Sequence, residues 1–374
     1  MPTPDYSNPA EKYDYISGQH GGYYRHDFID HAYLYNLYFP PEEVFTCFKD
    51  KIHELVLNYP VAQDVLAGLV GQLIGQPPER IVVGNGAAEL IKIVSGQISN
   101  RLIVPVPSFN EYVNAVPQDC AIEFPLEWPS FQLDVDKFAA ETIAAKADVA
   151  VVVTPNNPTS IAVPKQDLAR LAEKLAGHDC QLIIDESFID FTQNPEQFSM
   201  EDKIEQYPNT AIFKSMSKAY GICGIRIGYM LTANMKFASS VRQGVHIWNI
   251  NGFAEELLRI LPDYRKDFIT SCNQVKKDRD KLYENLKAFS QLTVYKPDAN
   301  FIFCRLPDTG MNAPQLTQKL FIDNNIYIKH CEGKTLAHSD RYIRIASRTE
   351  EENTNLVDAL ATILGYQNQS GDLR

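Results

Sequence analysis

A mostly parallel α/β sheet sandwiched by helices, with a smaller α+β domain beside it, is the fold the sequence predicts. Three observations carry that expectation. The middle of the 374-residue chain is a series of short apolar, β-branched runs that each stop at small or polar residues. Runs of this kind mark strands buried on both faces. Amphipathic helical stretches lie between them, and alternation of strand and helix builds a parallel sheet covered on both sides. After about residue 265 the texture changes to a long helical face, two separated strands and a last helix.

In chain order, the first 40 residues hold eight of the 19 tyrosines, too aromatic for a disordered tail, and read as an arm packed against the body. The strand runs are Ile81-Val-Val-Gly, Leu102-Ile-Val-Pro-Val, Val149-Ala-Val-Val-Val, Leu182-Ile-Ile-Asp and Ala211-Ile-Phe-Lys. Leu168, Leu171, Ala172 and Leu175 fall at helical spacing after Pro164, and Gly177 is the stop signal. Val275, Leu282, Leu286 and Phe289 mark one face of the long helix, and strands follow around Phe301-Ile-Phe-Cys and Tyr342-Ile-Arg-Ile-Ala. Thr349-Glu-Glu-Glu opens the last helix with a capping-box pattern, and Gly365 ends it. The expected division is an arm at 1–44 packing with the small domain, a large domain at 45–265 and a small domain at 266–374.

Composition narrows the function. Lys plus Arg number 35 and Asp plus Glu 47, a net charge of −12, which argues against sequence-independent nucleic-acid binding. No apolar run approaches the roughly 18–20 residues that cross a bilayer. The opening Met1-Pro-Thr-Pro-Asp lacks the basic and apolar regions of a secretory leader. The seven cysteines are scattered and never form a C-x-x-C pair, so a reducing cytoplasm is expected and neither a disulfide framework nor structural zinc is. Asp30, His26 and His31 lie near one another in sequence, but without tetrahedral ligand spacing no metal is expected.

In open α/β sheets ligands sit at the carboxyl ends of the strands. There the chain places a Gly-rich turn, an aromatic residue, an Asn, an Asp and a Lys. Pyridoxal 5′-phosphate wants that set: an amine for its aldehyde, a carboxylate for its ring nitrogen, amides and a cation for its phosphate, and a flat partner for its ring. Lys218, in Ser215-Met-Ser-Lys, is the candidate Schiff-base lysine, although taken alone it reads first as a solvated loop lysine. Asp185 is the candidate ring-nitrogen partner, or else a helix N-cap. Asn157, in Pro155-Asn-Asn-Pro, offers its amide to the ring oxygen, although Asn-Pro is also a plain turn signal. Gly86 and Ala87, opening a helix after Gly84-Asn, supply amides for the phosphate, with Ser215, Ser217 and Arg226 as companions. Phe109 is the candidate ring-stacking residue, or ordinary core. A dinucleotide fingerprint is the rival for the Gly-rich turn, but its third glycine is missing.

These motifs, in this order, resemble the fold-type I pyridoxal-phosphate enzymes of aminotransferase class I/II, particularly histidinol-phosphate aminotransferases and threonine-phosphate decarboxylases, over about residues 55–364. The resemblance implies Lys218, Asp185 and Asn157 in the roles above, and Arg344 forking onto the substrate carboxylate, with Arg348 as runner-up. It also implies Tyr59 reaching into the other subunit's phosphate site, hence a homodimer. Two departures stand out. Phe188 occupies the position where aminotransferases usually carry Tyr and where the decarboxylase branch carries Phe, and His20-Gly-Gly is similar to that branch as well. The substrate segment that usually reads Asn-x-Asn-Pro is Asn36-Leu-Tyr-Phe-Pro, which points to a rebuilt side-chain pocket. The expected activity is amino-group transfer on an amino acid or a phosphorylated amino compound. Decarboxylation of a phosphorylated amino acid is the alternative, and a cofactor-free binding module comes from a different class. His20, Arg25 and Arg348 are candidate anchors for a substrate phosphate.

Overall fold

The computed structural model describes residues 8–365; the Met1–Asp5 segment used in the leader argument lies outside them. Seven strands form the central sheet: β1 (Ile81–Gly84), β2 (Leu102–Val106), β3 (Ala121–Pro125), β4 (Val149–Val153), β5 (Gln181–Asp185), β6 (Thr210–Ser215) and β7 (Gly228–Thr232). Their spatial order is β1-β7-β6-β5-β4-β2-β3. Every pairing is parallel except those of β7, which runs antiparallel to both β1 and β6. Strands β3 and β7 had no counterpart among the predicted runs. β3 reads Ala-Ile-Glu-Phe-Pro and is half exposed at the sheet edge, so it lacks the unbroken apolar signature. β7 begins on a glycine and follows so closely on Arg226 that it merges with the candidate phosphate motif.

Successive residues on a strand face opposite sides, and here each side meets its own helix layer. Leu182 and Ile184 pack with Leu168, Leu171 and Leu175 of the helix Lys165–Leu175, all fully buried. Ile183 turns the other way, into a cluster with Leu90, Val104 and Val151. That division explains why the runs show no alternation: neither face meets water. The predicted helix stop also holds, with Gly177 at φ +84° just beyond the last turn.

The small domain carries a four-stranded antiparallel sheet in the order Lys329–His330, Tyr342–Ala346, Phe301–Arg305, Thr293–Val294. The helix Arg265–Lys287 and the final helix Glu350–Leu364 cover it. Thr349 and Glu352 exchange the reciprocal hydrogen bonds of a capping box. The N-terminal arm is tied to this sheet: Ile29–Asp30 pairs in parallel with Ile326–Tyr327, and His31 and Ala346 exchange hydrogen bonds of 2.8 Å. The arm then crosses to the large domain, where the Asn36 amide donates to the carbonyl of Lys218 at 2.9 Å. Asp30 caps the amides of Ala32 and Tyr33 while His31 is fully buried, so both have structural work. No described helix is long and apolar enough to cross a membrane.

Candidate active site

The carboxyl ends of β1, β4, β5 and β6 open onto one cavity of about 210 Å³. Lys218, Asp185, Asn157 and Phe109 line it, as do Ala87, Ser215, Arg226 and Arg344. Ala32, Tyr33 and Leu34 of the arm close one side, so three parts of the chain meet at a single place.

Asp185 ends β5 and is 3% exposed. Its Oδ2 accepts from the Tyr112 hydroxyl at 2.9 Å. Its Oδ1 accepts from the Ser187 amide at 3.0 Å and the Ser187 hydroxyl at 2.5 Å. The Ser187 hydroxyl in turn accepts from the Ser215 amide, which links β5 to β6 beneath the cavity floor. Burial raises the Asp185 pKa, opposed by Ser187, Tyr112 and the charge of Lys218. A buried carboxylate in that position is stabilised by a cation above it. Tyr112 and Ser187 were not among the predicted residues. Tyr112 stands three residues after Phe109, one helical turn on, and Ser187 two after Asp185, spacings that local hydrogen-bonding patterns favour.

Lys218 sits in the short helix Met216–Ala219 that follows β6. Burial lowers its pKa, with Arg344 and Arg226 acting the same way and Cys223 and Asp185 opposing. Among the described residues none takes a hydrogen bond from its Nζ, so the amine of this half-buried lysine is free to serve a ligand. Asn36 secures the turn from outside: its Nδ2 donates to the Ala219 carbonyl at 2.9 Å and to Ser271 at 2.8 Å. The segment expected to shape the substrate pocket, Asn36-Leu-Tyr-Phe-Pro, does not itself line the cavity; the residues just before it do, because Asn36 is turned onto the lysine helix instead. Residues 32–34 line the cavity, and Asn36 clamps the lysine turn.

Gly86 opens the helix Gly86–Ile93 at φ +68°. A Cβ built there would overlap the Arg226 guanidinium, and one on Gly228 would approach the Ala87 amide to 2.7 Å. The Asn85 side chain does not cap the helix but bonds the Asn249 carbonyl, so no side chain occupies the first-turn amides. Arg226, itself at φ +62°, is held by Ser217 Oγ at 3.2 Å and the Cys223 carbonyl at 3.3 Å. A left-handed non-glycine residue at a functional site is strain kept in place by its surroundings. Amides at a helix start with a guanidinium beside them form an anion cradle. Gly86 and Ser217, expected at the phosphate, do not line the cavity; their chain neighbours Ala87 and Lys218 do.

Arg344 lies at the far side. Its Nη1 donates to Asn157 Oδ1 at 2.8 Å and its Nη2 to the Ala32 carbonyl at 2.7 Å, while its buried Nε has no partner. The Asn157 oxygen is thereby fixed, which leaves its NH₂ to donate inward. Arg348 instead pairs with Glu352 at 3.0 Å. Phe188 packs edge-on against Phe301, ring centroids 5.2 Å apart, and presents no hydroxyl to the cavity. Arg25 lies over the exposed ring of Tyr24. Tyr59 does not line this cavity; it is 76% exposed and stacked on Trp248 at 4.2 Å.

The family model for aminotransferase class I and II matches residues 36–360, nearly the whole of this architecture. The chain belongs to that family. Its cofactor is pyridoxal 5′-phosphate, and the residues present fit it: an unpartnered lysine amine, a buried carboxylate and an anion cradle border one cavity. Among relatives, the chain is 42% identical over 360 residues to the CMP-5′-(3-aminopropyl)phosphonate synthase of Streptomyces rubellomurinus, covering 96% of this chain but 57% of that protein. It is 32% identical over 319 residues to the L-serine phosphate decarboxylase of Sulfurospirillum multivorans, covering 83% of this chain and 80% of that protein. The solved histidinol-phosphate aminotransferase of Clostridium acetobutylicum superposes with a TM-score of 0.82 at 26% identity, over 91% of this chain and all of that one.

Proposed function

We propose that this class I and II family member is a pyridoxal-phosphate-dependent decarboxylase of an α-amino acid whose side chain ends in a phosphate or phosphonate. The observation that carries the reading is similarity over most of the chain to a serine phosphate decarboxylase and to a synthase of an aminopropylphosphonate. Adding a carboxylate to the amine-bearing carbon of 3-aminopropylphosphonate gives 2-amino-4-phosphonobutyrate, an analogue of O-phosphoserine in layout. Phe188, the residue type that the sequence resemblance associates with decarboxylases, agrees. Amino-group transfer, the first expectation from sequence, has support only at the level of the family.

When bound, the cofactor supplies an electron sink conjugated to the substrate nitrogen. Asp185, steadied by Tyr112 and Ser187, holds the proton on the ring nitrogen that makes the sink effective. Gly86, Ala87, Ser215, Ser217 and Arg226 would bind the cofactor phosphate, Phe109 would stack on the ring and Asn157 would donate to the ring oxygen. Arg344 orients the substrate through its carboxylate. As the Cα–carboxylate bond breaks and CO₂ leaves, Lys218 Nζ delivers a proton to Cα.

Two further readings accompany this one. The exposed apolar side chains Phe45, Ile52 and Val56 on the helix Glu42–Leu57 adjoin the segment carrying Leu57 and Tyr59, with Ile247 and Trp248 beyond. That exposed apolar surface supports an interface there, and a homodimer that buries it would carry Tyr59 to the other subunit's phosphate site. All seven cysteines are free, which suits the cytoplasm as the place of action. The function is tested by incubating the holoenzyme with O-phosphoserine or 2-amino-4-phosphonobutyrate. CO₂ with one equivalent of amine supports decarboxylation, whereas a keto acid with conversion of the cofactor to its pyridoxamine form refutes it.

A further inference from the structure

The turn 331–336 reaches from the small domain over the strand ends of the large sheet. Thr335 Oγ1 donates to Glu123 Oε1 at 3.0 Å, and Leu336 packs with Phe131 and Phe303. Just before them, Lys334 Nζ donates to the Ser108 carbonyl and to Asn110 Oδ1, both at 2.8 Å. These two acceptors flank Phe109 in sequence, so one ammonium grips both neighbours of the ring that lines the cavity. Among the described residues no carboxylate forms an ion pair with Lys334, although a half-buried lysine set only against neutral acceptors is costly.

We propose that Lys334 is a positioning residue that fixes Phe109 against the cofactor ring and ties that contact to the seating of the small domain. The proposal rests on the stacking role of Phe109 given above. The electrostatic setting adds a coupling to substrate. Burial pulls the Lys334 pKa down to about 8, Arg344 and Lys329 push the same way, and the Cys331 thiol opposes them. An anion held at Arg344 offsets part of that repulsion and strengthens the ammonium's grip. By reciprocity, an intact grip favours the anion.

The test uses the holoenzyme, with Lys334→Met, Lys334→Arg, Phe109→Ala and the Lys334→Met/Phe109→Ala double variant. The readouts are the rate of cofactor loss on dialysis and the visible circular dichroism of bound cofactor. Lys334→Met and Phe109→Ala should each speed cofactor loss by about tenfold, the scale of one aromatic contact, and distort the dichroism alike. The double variant should be no worse than Phe109→Ala. On raising the pH through about 8 the wild-type dichroism should move toward that of Lys334→Met, while Lys334→Arg, charged throughout, stays put. If Phe109→Ala matches wild type, the stacking role and the strut both fall. If Phe109→Ala acts but Lys334→Met does not, or the two add, the strut alone falls. Should Lys334→Met not fold, the pH comparison of wild type with Lys334→Arg decides: identical profiles overturn the proposal.

Discussion

Tyr112 is the one donor on Asp185 that comes from a different strand end, and its hydroxyl has no other acceptor among the described residues. Hydrogen bonds to charged groups contribute about 1.5–3 kcal/mol net, so Tyr112→Phe should lower kcat/KM by about 10- to 100-fold while the protein stays folded. The sign of its pH effect follows from the same contact. Tyr112 lowers the Asp185 pKa against burial, so its removal raises that pKa and moves the acidic limb of the rate profile to higher pH. An unchanged limb would detach Tyr112 from the chemistry. Lys218→Ala should cost at least ~10³-fold in turnover and abolish the visible band of lysine-bound cofactor, checked by absorbance before any assay. At this scale the sequence reveals residues whose chemistry is unusual for their place, such as a lysine or an aspartate ending an apolar run. Tyr112 and Ser187 stayed hidden because a tyrosine in a short helix and a serine after an aspartate are ordinary until the fold brings both to one carboxylate.

In the proposed site, cofactor binding depends most on the Gly-rich turn. Gly86 combines a left-handed φ with a side-chain direction blocked by Arg226. Gly86→Ala should cost about 1–2 kcal/mol for the backbone alone and displace the guanidinium as well. The expected result is a cofactor Kd raised at least ~10-fold with near-native circular dichroism of the apoprotein in the far ultraviolet. Titration of the apoprotein with cofactor, followed by absorbance, checks it. The same principle governs which elements were legible. β4, β5 and β6 are buried on both faces and announce themselves by unbroken apolar runs. β3 is half exposed and β7 is hidden between a glycine and a phosphate motif, so the antiparallel strand that shapes the phosphate side of the site surfaced only in three dimensions.

Across the whole molecule, the site depends on the arm, the large sheet and the small domain at once. Ala32 anchors Arg344, Asn36 clamps the Lys218 turn and Lys334 grips the Phe109 loop. Such joints link regions more than 180 residues apart in sequence, as in the Asn36–Ala219 bond (separation 183), and local patterns carry no trace of them. In the proposed homodimer, the exposed apolar face around Val56 and Trp248 would extend the dependence to a second copy. Val56→Arg places a charge in that face and should convert a dimer to monomer in light scattering, with turnover falling in step as Tyr59 leaves the partner's site. A variant that stays dimeric, or a wild type that is already monomeric and active, would contradict the dimer.

In the proposed reaction the bond from Cα to the carboxylate breaks and Lys218 then protonates Cα. Running the reaction on 2-amino-4-phosphonobutyrate in deuterium oxide and weighing the product by mass spectrometry tests it directly. The expected product is 3-aminopropylphosphonate carrying a single carbon-bound deuterium next to the amine. A keto acid product, or substrate recovered with deuterium at Cα and no amine formed, would contradict it.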